Sequence, residues 1–292
     1  MHTCTSPAVA RLRVHEGASC AAAHRYTGES QHFCTPSAGL QRRPWLARLH
    51  RALRDDRFEL HYQPIECLAT GEITHYEALV RLLDEDDGSL IAPGRFLPAA
   101  ERHGLIGEID RLVIRRVAAL MGAGLAGGEA RIAINLSARS ATDPRMLEYI
   151  ESELAHHGVA PERLIVEITE TAAISDIDCA KRFCEQLELL GCAVALDDFG
   201  AGFGSFYYVK HLPFEYLKID GDFIRNLTTS HEDQLVVRAL VDVARGLGKR
   251  TVAEFVGDED TMELLREYGV DYAQGYHVGH PAPLPLQLAL AG

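Results

Sequence analysis

The sequence predicts an α/β fold, a closed (β/α)8 barrel of the TIM type that follows an irregular N-terminal extension. From residue 131 onward the chain repeats one unit, in which a short apolar strand ends in a polar residue and a helix follows. Such alternation is typical of parallel β-α-β units. With two earlier strands the count reaches eight in about 240 residues, which fits a closed barrel. An open doubly wound sheet is the alternative, but no Gly-x-Gly-x-x-Gly motif opens a helix.

The chain divides at about residue 44. Residues 1–44 are rich in Ser, Thr, Ala, Gly and Arg and show no sustained apolar period, so we interpret them as a tail or the remnant of a preceding domain. From Trp45 apolar residues recur at helical spacing, which predicts the first helix of a domain that covers residues 45–292.

The predicted strands and helices follow one another in a regular order. Alternating character predicts the first two strands at residues 58–65 and 73–81. Short apolar runs predict further strands at 131–135, 164–168, 192–196, 216–220, 251–254 and 272–276. Amphipathic segments that end near a glycine predict helices at about 144–157, 177–190, 233–247 and 259–268.

Composition and charge exclude several classes of function. The 29 basic and 42 acidic side chains give a formal net charge of −13, and duplex DNA or RNA binding is not expected because phosphate contacts need clustered Lys and Arg. No apolar stretch approaches the ~20 residues of a membrane span, and the N-terminus lacks the pattern of a secretory signal. The seven cysteines form no Cys-x-x-Cys pair, which suits a reducing compartment, so we expect a cytoplasmic protein.

Carboxylate and amide side chains occupy the carboxyl ends of the predicted strands. In a barrel these ends converge on one face. Carboxylates held close together repel one another and would take up protons unless a hard divalent cation is bound among them. The sequence therefore predicts a magnesium or manganese site on this rim, built from Glu77, Asn135, Glu167, Asp197, Asp198, Asp220, Glu254 and Gln274.

Two features of the rim indicate phosphate ester hydrolysis. Adjacent carboxylates at Asp197 and Asp198 favour two cations about 3.5–4 Å apart, an arrangement that suits hydrolysis by water. Lys218 lies among apolar strand residues, where a lysine needs acidic partners or a phosphate. A purely structural ion pair at Lys218 and a simple turn carboxylate at Glu254 are the alternatives.

Several separate motifs resemble those of the EAL domain, a family of phosphodiesterases that linearise cyclic di-GMP. Glu-Ala-Leu at 77–79 is followed by Val-Arg at 80–81, and the resemblance runs in the family's order from about Phe58 to Pro281. The other motifs are Tyr-Gln-Pro-Ile at 62–65, Asn-Leu-Ser at 135–137, Glu-Ile-Thr-Glu at 167–170, Asp-Asp-Phe-Gly-Ala-Gly at 197–202, Leu-Lys-Ile-Asp at 217–220, Ala-Glu at 253–254 and Gln-Gly-Tyr at 274–276.

The resemblance implies a role for each matching residue. One Mg²⁺ or Mn²⁺ would be held by Glu77, Asn135, Glu167 and Asp197, and Asp197 would bridge to a second ion that Asp198 helps to hold. Lys218 and Glu254 would orient and activate the attacking water, and either could be the base. Arg81 would pair with a substrate phosphate near Gln63 and Gln274. Glu170 and Asp220 would support the loop at 199–208, and the family suggests a homodimer.

The chain departs from the family pattern at Gly257, where the resemblance would place a second Glu three residues after Glu254. Losing a carboxylate beside the cations typically costs 10–100-fold in metal affinity or activity. Asp258 or Glu259 could substitute for it. Three functions therefore remain open: a phosphodiesterase that produces linear pGpG, a catalytically weak or silent receptor for cyclic di-GMP, and a protein-interaction module without nucleotide.

Overall fold

A computed structural model describes residues 45–124, 130–169, 176–200 and 206–284 of the chain. The extension predicted at 1–44 lies outside these residues. Within them the nine strands are β1 Phe58–Cys67, β2 Glu72–Leu83, β3 Leu90–Ile91, β4 Arg131–Leu136, β5 Leu164–Thr169, β6 Ala193–Phe199, β7 Tyr216–Ile219, β8 Arg250–Ala253 and β9 Tyr272–Gln274.

Eight of these strands close into a barrel, as predicted. They are hydrogen-bonded in the order β1-β9-β8-β7-β6-β5-β4-β2, and a β1–β2 pairing completes the ring. The ninth strand, β3, is a two-residue addition that pairs with the far end of β2. From β2 and β4 through to β9 all neighbours are parallel, which is the arrangement that the β-α-β pattern predicts.

Strand β1 differs from a regular (β/α)8 barrel because it runs antiparallel to both of its neighbours, β2 and β9. Only residues 68–71 join β1 to β2, and the turn includes Gly71 at a left-handed φ of 71°. A parallel pair needs a crossover of a dozen or more residues, so a turn of this length permits only a hairpin. The side chains of β1 are thereby inserted between those of β2 and β9.

Helices cover the outside of the barrel. In the described residues they are α1 Trp45–Arg54, α2 Leu97–Arg102, α3 Ile106–Gly122, α4 Ala138–Ala141, α5 Pro144–His157, α6 Ile177–Leu190, α7 Phe206–His211, α8 Gly221–Ile224, α9 His231–Gly246 and α10 Glu259–Tyr268. The bounds predicted for α5, α6 and α10 are confirmed, and α9 begins two residues earlier than expected. Helix α3, which connects β2 to β4, was not predicted. None of these helices has the length and apolar character that a membrane crossing requires.

Cap residues define where several of these helices begin. Asp143, Asp176, Ser230 and Asp258 each accept a hydrogen bond from a backbone N–H in the first turn of the following helix. Such caps satisfy donors that have no partner within the helix. Each of these helices therefore begins at a fixed residue, and the strand that follows it enters the barrel in a defined register.

Two apolar layers support the barrel. The larger layer lies between the strands and the helices, and a smaller cluster lines the interior, with Ile65, Ala133, Ile165, Ala195 and Val252 among its members. On several of these strands a polar residue lies two positions further along, as Glu167 does after Ile165 and Glu254 after Val252. This alternation places the strand-end carboxylates inside the rim.

Candidate metal centre

Lys218 lies at the centre of a group of buried carboxylates. Its Nζ is 2.7 Å from Oε2 of Glu167, 2.9 Å from Oδ1 of Asp197 and 3.0 Å from Oε1 of Glu254. Oε2 of Glu77 is 3.6 Å from the same nitrogen. The lysine is only 1% exposed. The strand ends singled out in the sequence therefore meet at one point, and the ammonium group is their common partner.

Strand geometry explains how Lys218 reaches this position. Its neighbours on β7, Leu217 and Ile219, pack into the apolar layer between strands and helices. Because side chains alternate along a strand, the lysine between them points to the interior of the barrel. A lysine at this place on β7 can therefore reach carboxylates from several strands at once.

Glu77 is fixed by amide donors as well as by charge. Asn135 Nδ2 donates to its Oε1 at 2.5 Å, and Gln274 Nε2 donates to its Oε2 at 2.5 Å. Burial raises the pKa of Glu77, but the Lys218 ammonium and these two amide hydrogen bonds outweigh that effect and hold the pKa below its usual range. Glu77 is therefore stabilised as a carboxylate even without any further cation.

The other carboxylates carry more negative charge than Lys218 balances. Burial, followed by the neighbouring negative charges, raises the pKa of Glu167 and of Glu254 well above the ordinary range, although the Lys218 ammonium opposes the shift. Four buried acidic groups surround one ammonium. A divalent cation bound among them would neutralise the excess negative charge. Oxygen donors of this kind fit a hard ion such as Mg²⁺ or Mn²⁺.

Asp197, Asp198 and Glu254 form a compact set of oxygen donors. One carboxylate oxygen from each lies within 4.8 Å of the others. Consecutive strand residues normally point to opposite faces, but Asp198 has a left-handed φ of 54° and the pairing of β6 with β7 shifts register after Leu196. This irregularity allows adjacent aspartates to reach the same site, and these three residues could hold a metal ion.

The residues predicted to contact substrate occupy different environments. Gln63 and Gln274 are buried, and Gln274 Nε2 donates to Oε1 of Gln63 at 3.2 Å. Arg81 is half-buried on β2, four residues after Glu77, and Nη1 donates to the Val80 carbonyl at 3.2 Å. The structure thus brings the two glutamines to Glu77, whereas Arg81 lies further along the same strand.

The residues predicted to support the loop are only partly described. Asp220 caps α8 by accepting a hydrogen bond from the N–H of Asp222 at 2.6 Å, and burial raises its pKa. Glu170 and residues 201–205 of the predicted loop lie outside the described residues. Their proposed role stays a prediction.

Neither acidic neighbour of Gly257 replaces the missing carboxylate. Asp258 caps α10 through a 2.8 Å hydrogen bond from the N–H of Thr261. Glu259 is bound to Arg266 at 2.7 Å and to His277 at 2.9 Å on the surface. A Cβ on Gly257 would meet no atom within 4 Å, so there is space for a side chain at this position.

Two residues near the site were not predicted. Phe255 follows Glu254 with a left-handed φ of 55°, and the guanidinium of Arg225 lies 4.2 Å from its ring centroid. Asp110 of α3 is buried and accepts a 2.5 Å hydrogen bond from Oγ of Ser137, two residues after Asn135. Burial raises the pKa of Asp110 to about 6. Asp110 stands four residues from each of the apolar residues Ile106 and Ile114 on α3, which was a usable signal, whereas the conformation of Phe255 had none.

Comparison with known proteins identifies relatives of this chain. The sequence profile of the EAL domain matches residues 46–281. Cyclic di-GMP phosphodiesterase PdeB of Shewanella oneidensis is 38% identical over 242 residues, which cover 82% of this chain and 28% of PdeB. PdeF of Escherichia coli, also named a cyclic di-GMP phosphodiesterase, is 38% identical over 238 residues, or 81% of this chain and 32% of PdeF. The chain thus spans about a third of the length of these curated relatives.

Solved structures show the same fold. The PaMucR phosphodiesterase in complex with c-di-GMP superimposes with a TM-score of 0.77 at 37% identity, covering 82% of this chain and 97% of that one. The FimX EAL domain of Xanthomonas citri in complex with c-diGMP gives a TM-score of 0.76 at 33% identity, over 82% of this chain and 94% of that one.

Proposed function

The chain belongs to the EAL domain family, and on that premise we propose that it hydrolyses cyclic di-GMP to linear pGpG in a metal-dependent reaction. The observation that supports this most is the convergence of Glu77, Glu167, Asp197 and Glu254 on Lys218, with Asp198 beside them. A purely structural ion pair would need one carboxylate, and burying four would be costly without a further cation.

The reaction adds water across one of the two phosphodiester bonds of the cyclic dinucleotide. Two Mg²⁺ or Mn²⁺ ions would be held by Glu77, Asn135, Glu167, Asp197 and Asp198. When bound, such ions polarise a phosphate and neutralise developing charge. The chain supplies the geometry and the groups that hold or move protons.

Lys218 and Glu254 have different roles in this proposal. Lys218 Nζ donates a hydrogen bond to Glu167 at 2.7 Å and forms ion pairs with Asp197 and Glu254, so in this proposal the ammonium orients the carboxylates and balances their charge. Glu254 directly follows β8 at the rim, and burial raises its pKa, which suits a proton acceptor, so we assign it the acceptance of the water's proton. Arg81 keeps its proposed role of pairing with a substrate phosphate.

The test uses the purified chain with cyclic di-GMP and either Mg²⁺ or Mn²⁺, and follows pGpG by chromatography. We expect product that disappears in EDTA and in the Glu77→Ala and Glu254→Ala variants. Glu185→Ala on α6 is the matched control, because that side chain is 48% exposed and pairs at the surface with Lys181. Full activity in both site variants would show that the metal-site assignment is wrong.

A second function, a receptor that binds cyclic di-GMP without hydrolysing it, has one specific observation in its favour. Gly257 lacks the carboxylate that the family places there, and Asp258 and Glu259 are bound elsewhere. Nucleotide binding by calorimetry without any pGpG in either metal would support this function over the first.

The cytoplasmic location and the homodimer also remain proposals. Light scattering of the purified chain tests the homodimer.

A further inference from the structure

Glu77 is held by a continuous series of amide hydrogen bonds that begins at the Gly279 carbonyl, in the segment after β9. Gln63 Nε2 donates to the Gly279 carbonyl at 3.1 Å. Gln274 Nε2 then donates both to Gln63 Oε1 at 3.2 Å and to Glu77 Oε2 at 2.5 Å. The two protons of one amide group therefore join a glutamine to a carboxylate.

The antiparallel direction of β1 creates this arrangement. Gln63 lies opposite Glu77 in the β1–β2 register, and Ile65 lies opposite Gln274 in the β1–β9 register. The strand thus inserts one glutamine between a carboxylate on one neighbour and a second glutamine on the other. All three side chains are at least 90% buried, so each polar group needs a partner within the protein.

The Gly279 carbonyl, at which these hydrogen bonds begin, belongs to a segment that is itself bound to β1. Tyr62 N donates to the Ala282 carbonyl at 2.7 Å, and Ala282 N donates to the Tyr62 carbonyl at 3.2 Å. Gly279 packs against the ring of Pro64 closely enough that any Cβ would clash. The segment 275–282 is therefore held against β1, and its Gly279 carbonyl gives Gln63 a hydrogen-bond acceptor in a defined position.

We propose that Gln63 and Gln274 are positioning residues for Glu77, which set its carboxylate for a divalent cation, and that they are not substrate contacts. This inference rests on the proposed function in assigning a cation to Glu77. Both donor protons of Gln274 are already directed at Gln63 and Glu77, which leaves none for a nucleotide. Its Oε1, which accepts no hydrogen bond from a described residue, is the one atom through which it could contact a ligand.

The experiment titrates the nucleotide-free chain with Mn²⁺ and follows free Mn²⁺ by electron paramagnetic resonance. Gln274→Met preserves side-chain volume but removes the donor, and we expect Mn²⁺ affinity to fall roughly 10-fold, as when a group that orients a metal ligand is lost. Gln63→Met acts only through Gln274, so we expect a smaller loss of Mn²⁺ affinity than the one for Gln274→Met. The double variant should match Gln274→Met alone, because the two residues act in series.

Two controls separate positioning from a general loss of structure. Gln234→Met on α9 removes a comparable donor, which is bound to the Leu227 carbonyl at 2.9 Å and not to a carboxylate of the cluster, and should leave Mn²⁺ affinity unchanged. Gln274→Asn keeps an amide but cannot span the distance to Glu77, so it should weaken Mn²⁺ binding even if the Met variant folds poorly. Thermal unfolding in EDTA checks that each variant is folded.

A separate titration with cyclic di-GMP in EDTA distinguishes the two roles. Under the positioning role, nucleotide affinity without metal stays within about 2-fold of the unaltered chain, since only the metal ligand is disturbed. Unchanged Mn²⁺ affinity together with weakened nucleotide binding would overturn the inference and make the glutamines substrate contacts. Variants that shift Mn²⁺ binding in a chain that never forms pGpG would instead contradict the proposed function alone.

Discussion

The aromatic ring of Phe255 lies over Gly221 so closely that a Cβ on this glycine would overlap the ring. Phe255 directly follows Glu254, and Gly221 directly follows Asp220. The contact therefore fixes the segment after β8 against the beginning of α8. The Arg225 guanidinium also lies over the ring, 4.2 Å from its centroid, and this cation–π contact helps to hold the phenylalanine in place.

Gly221→Ala is expected to displace Phe255 and with it the carboxylate of Glu254. We expect turnover of cyclic di-GMP to fall roughly 10-fold or more, because small displacements of a reacting group are costly. Gly246→Ala is the matched control, since a Cβ there meets nothing within 4 Å. Adding Phe255→Ala to Gly221→Ala should recover part of the loss, and a double variant no better than the single one would contradict this explanation.

Lys218→Met is expected to abolish measurable hydrolysis and to destabilise the metal-free protein. Removing the ammonium leaves buried carboxylates uncompensated, which costs about 3–5 kcal/mol in the free energy of unfolding. Mn²⁺ should restore part of that stability. Urea unfolding with and without Mn²⁺ measures both effects, and Lys181→Met, at a lysine that is 46% exposed, is the control. Equal stability of Lys218→Met and the unaltered chain in EDTA would contradict the charge balance described above.

Gly257→Glu is expected to increase turnover, by up to roughly 10-fold, by returning a carboxylate to the vicinity of the cations. The site can accept the side chain, because a Cβ meets no atom within 4 Å and Gly257 is not in the left-handed region. Gly246→Glu makes the same substitution at another open position, away from the rim. Initial rates across a Mn²⁺ series provide the measurement, and a rate no higher than that of the unaltered chain at every concentration would count against the prediction.

His75→Phe is expected to reduce the amount by which the free energy of unfolding falls as the pH is lowered. Burial, assisted by the guanidinium groups of Arg131 and Arg250, lowers the pKa of His75 to about 4. Between pH 6.5 and 4 the unfolded chain binds a proton that the folded chain does not, so the free energy of unfolding falls by about 3 kcal/mol as the pH drops through this window.

The measurement for His75 is the difference between the two proteins in urea unfolding from pH 8 to pH 4. Asp110 acts in the opposite direction, because its raised pKa of about 6 lets the folded chain bind a proton first and gain stability as the pH falls. Its contribution is common to both proteins and cancels in the difference. Parallel curves for the variant and the unaltered chain would show that His75 is not buried in its neutral form.

Much of the site could be predicted from sequence because its determinants are local. A polar residue that ends an apolar run, as at Asn135, Glu167, Asp197 and Glu254, is visible in the sequence, and barrel topology brings such ends together. Lys218 was identifiable for the same reason, since a lysine between apolar strand residues requires partners. These are the residues that the structure brings within reach of one another.

Other features could not be predicted in this way, because they depend on contacts between distant residues or on backbone conformations that the local sequence does not indicate. The contact between Gln63 and Gln274 joins residues 211 positions apart, and neither flank of either residue indicates it. The left-handed conformation of Phe255 runs against the preference of its residue type. The hairpin at β1–β2 was open to prediction, because the predicted strands at 58–65 and 73–81 are too near in sequence for a crossover helix.

The antiparallel first strand also determines when the rim can form during folding. Strand β1 can pair early with β2 through their hairpin, but its other edge must wait for β9, and pairings this distant in sequence are slow to form. The hydrogen bonds that hold Glu77 would be incomplete until then, because Gln274 emerges after every other residue of the cluster. A chain that stops before β9 should therefore have the acidic residues but a weaker metal affinity, which makes full cation affinity a sign that the barrel has closed.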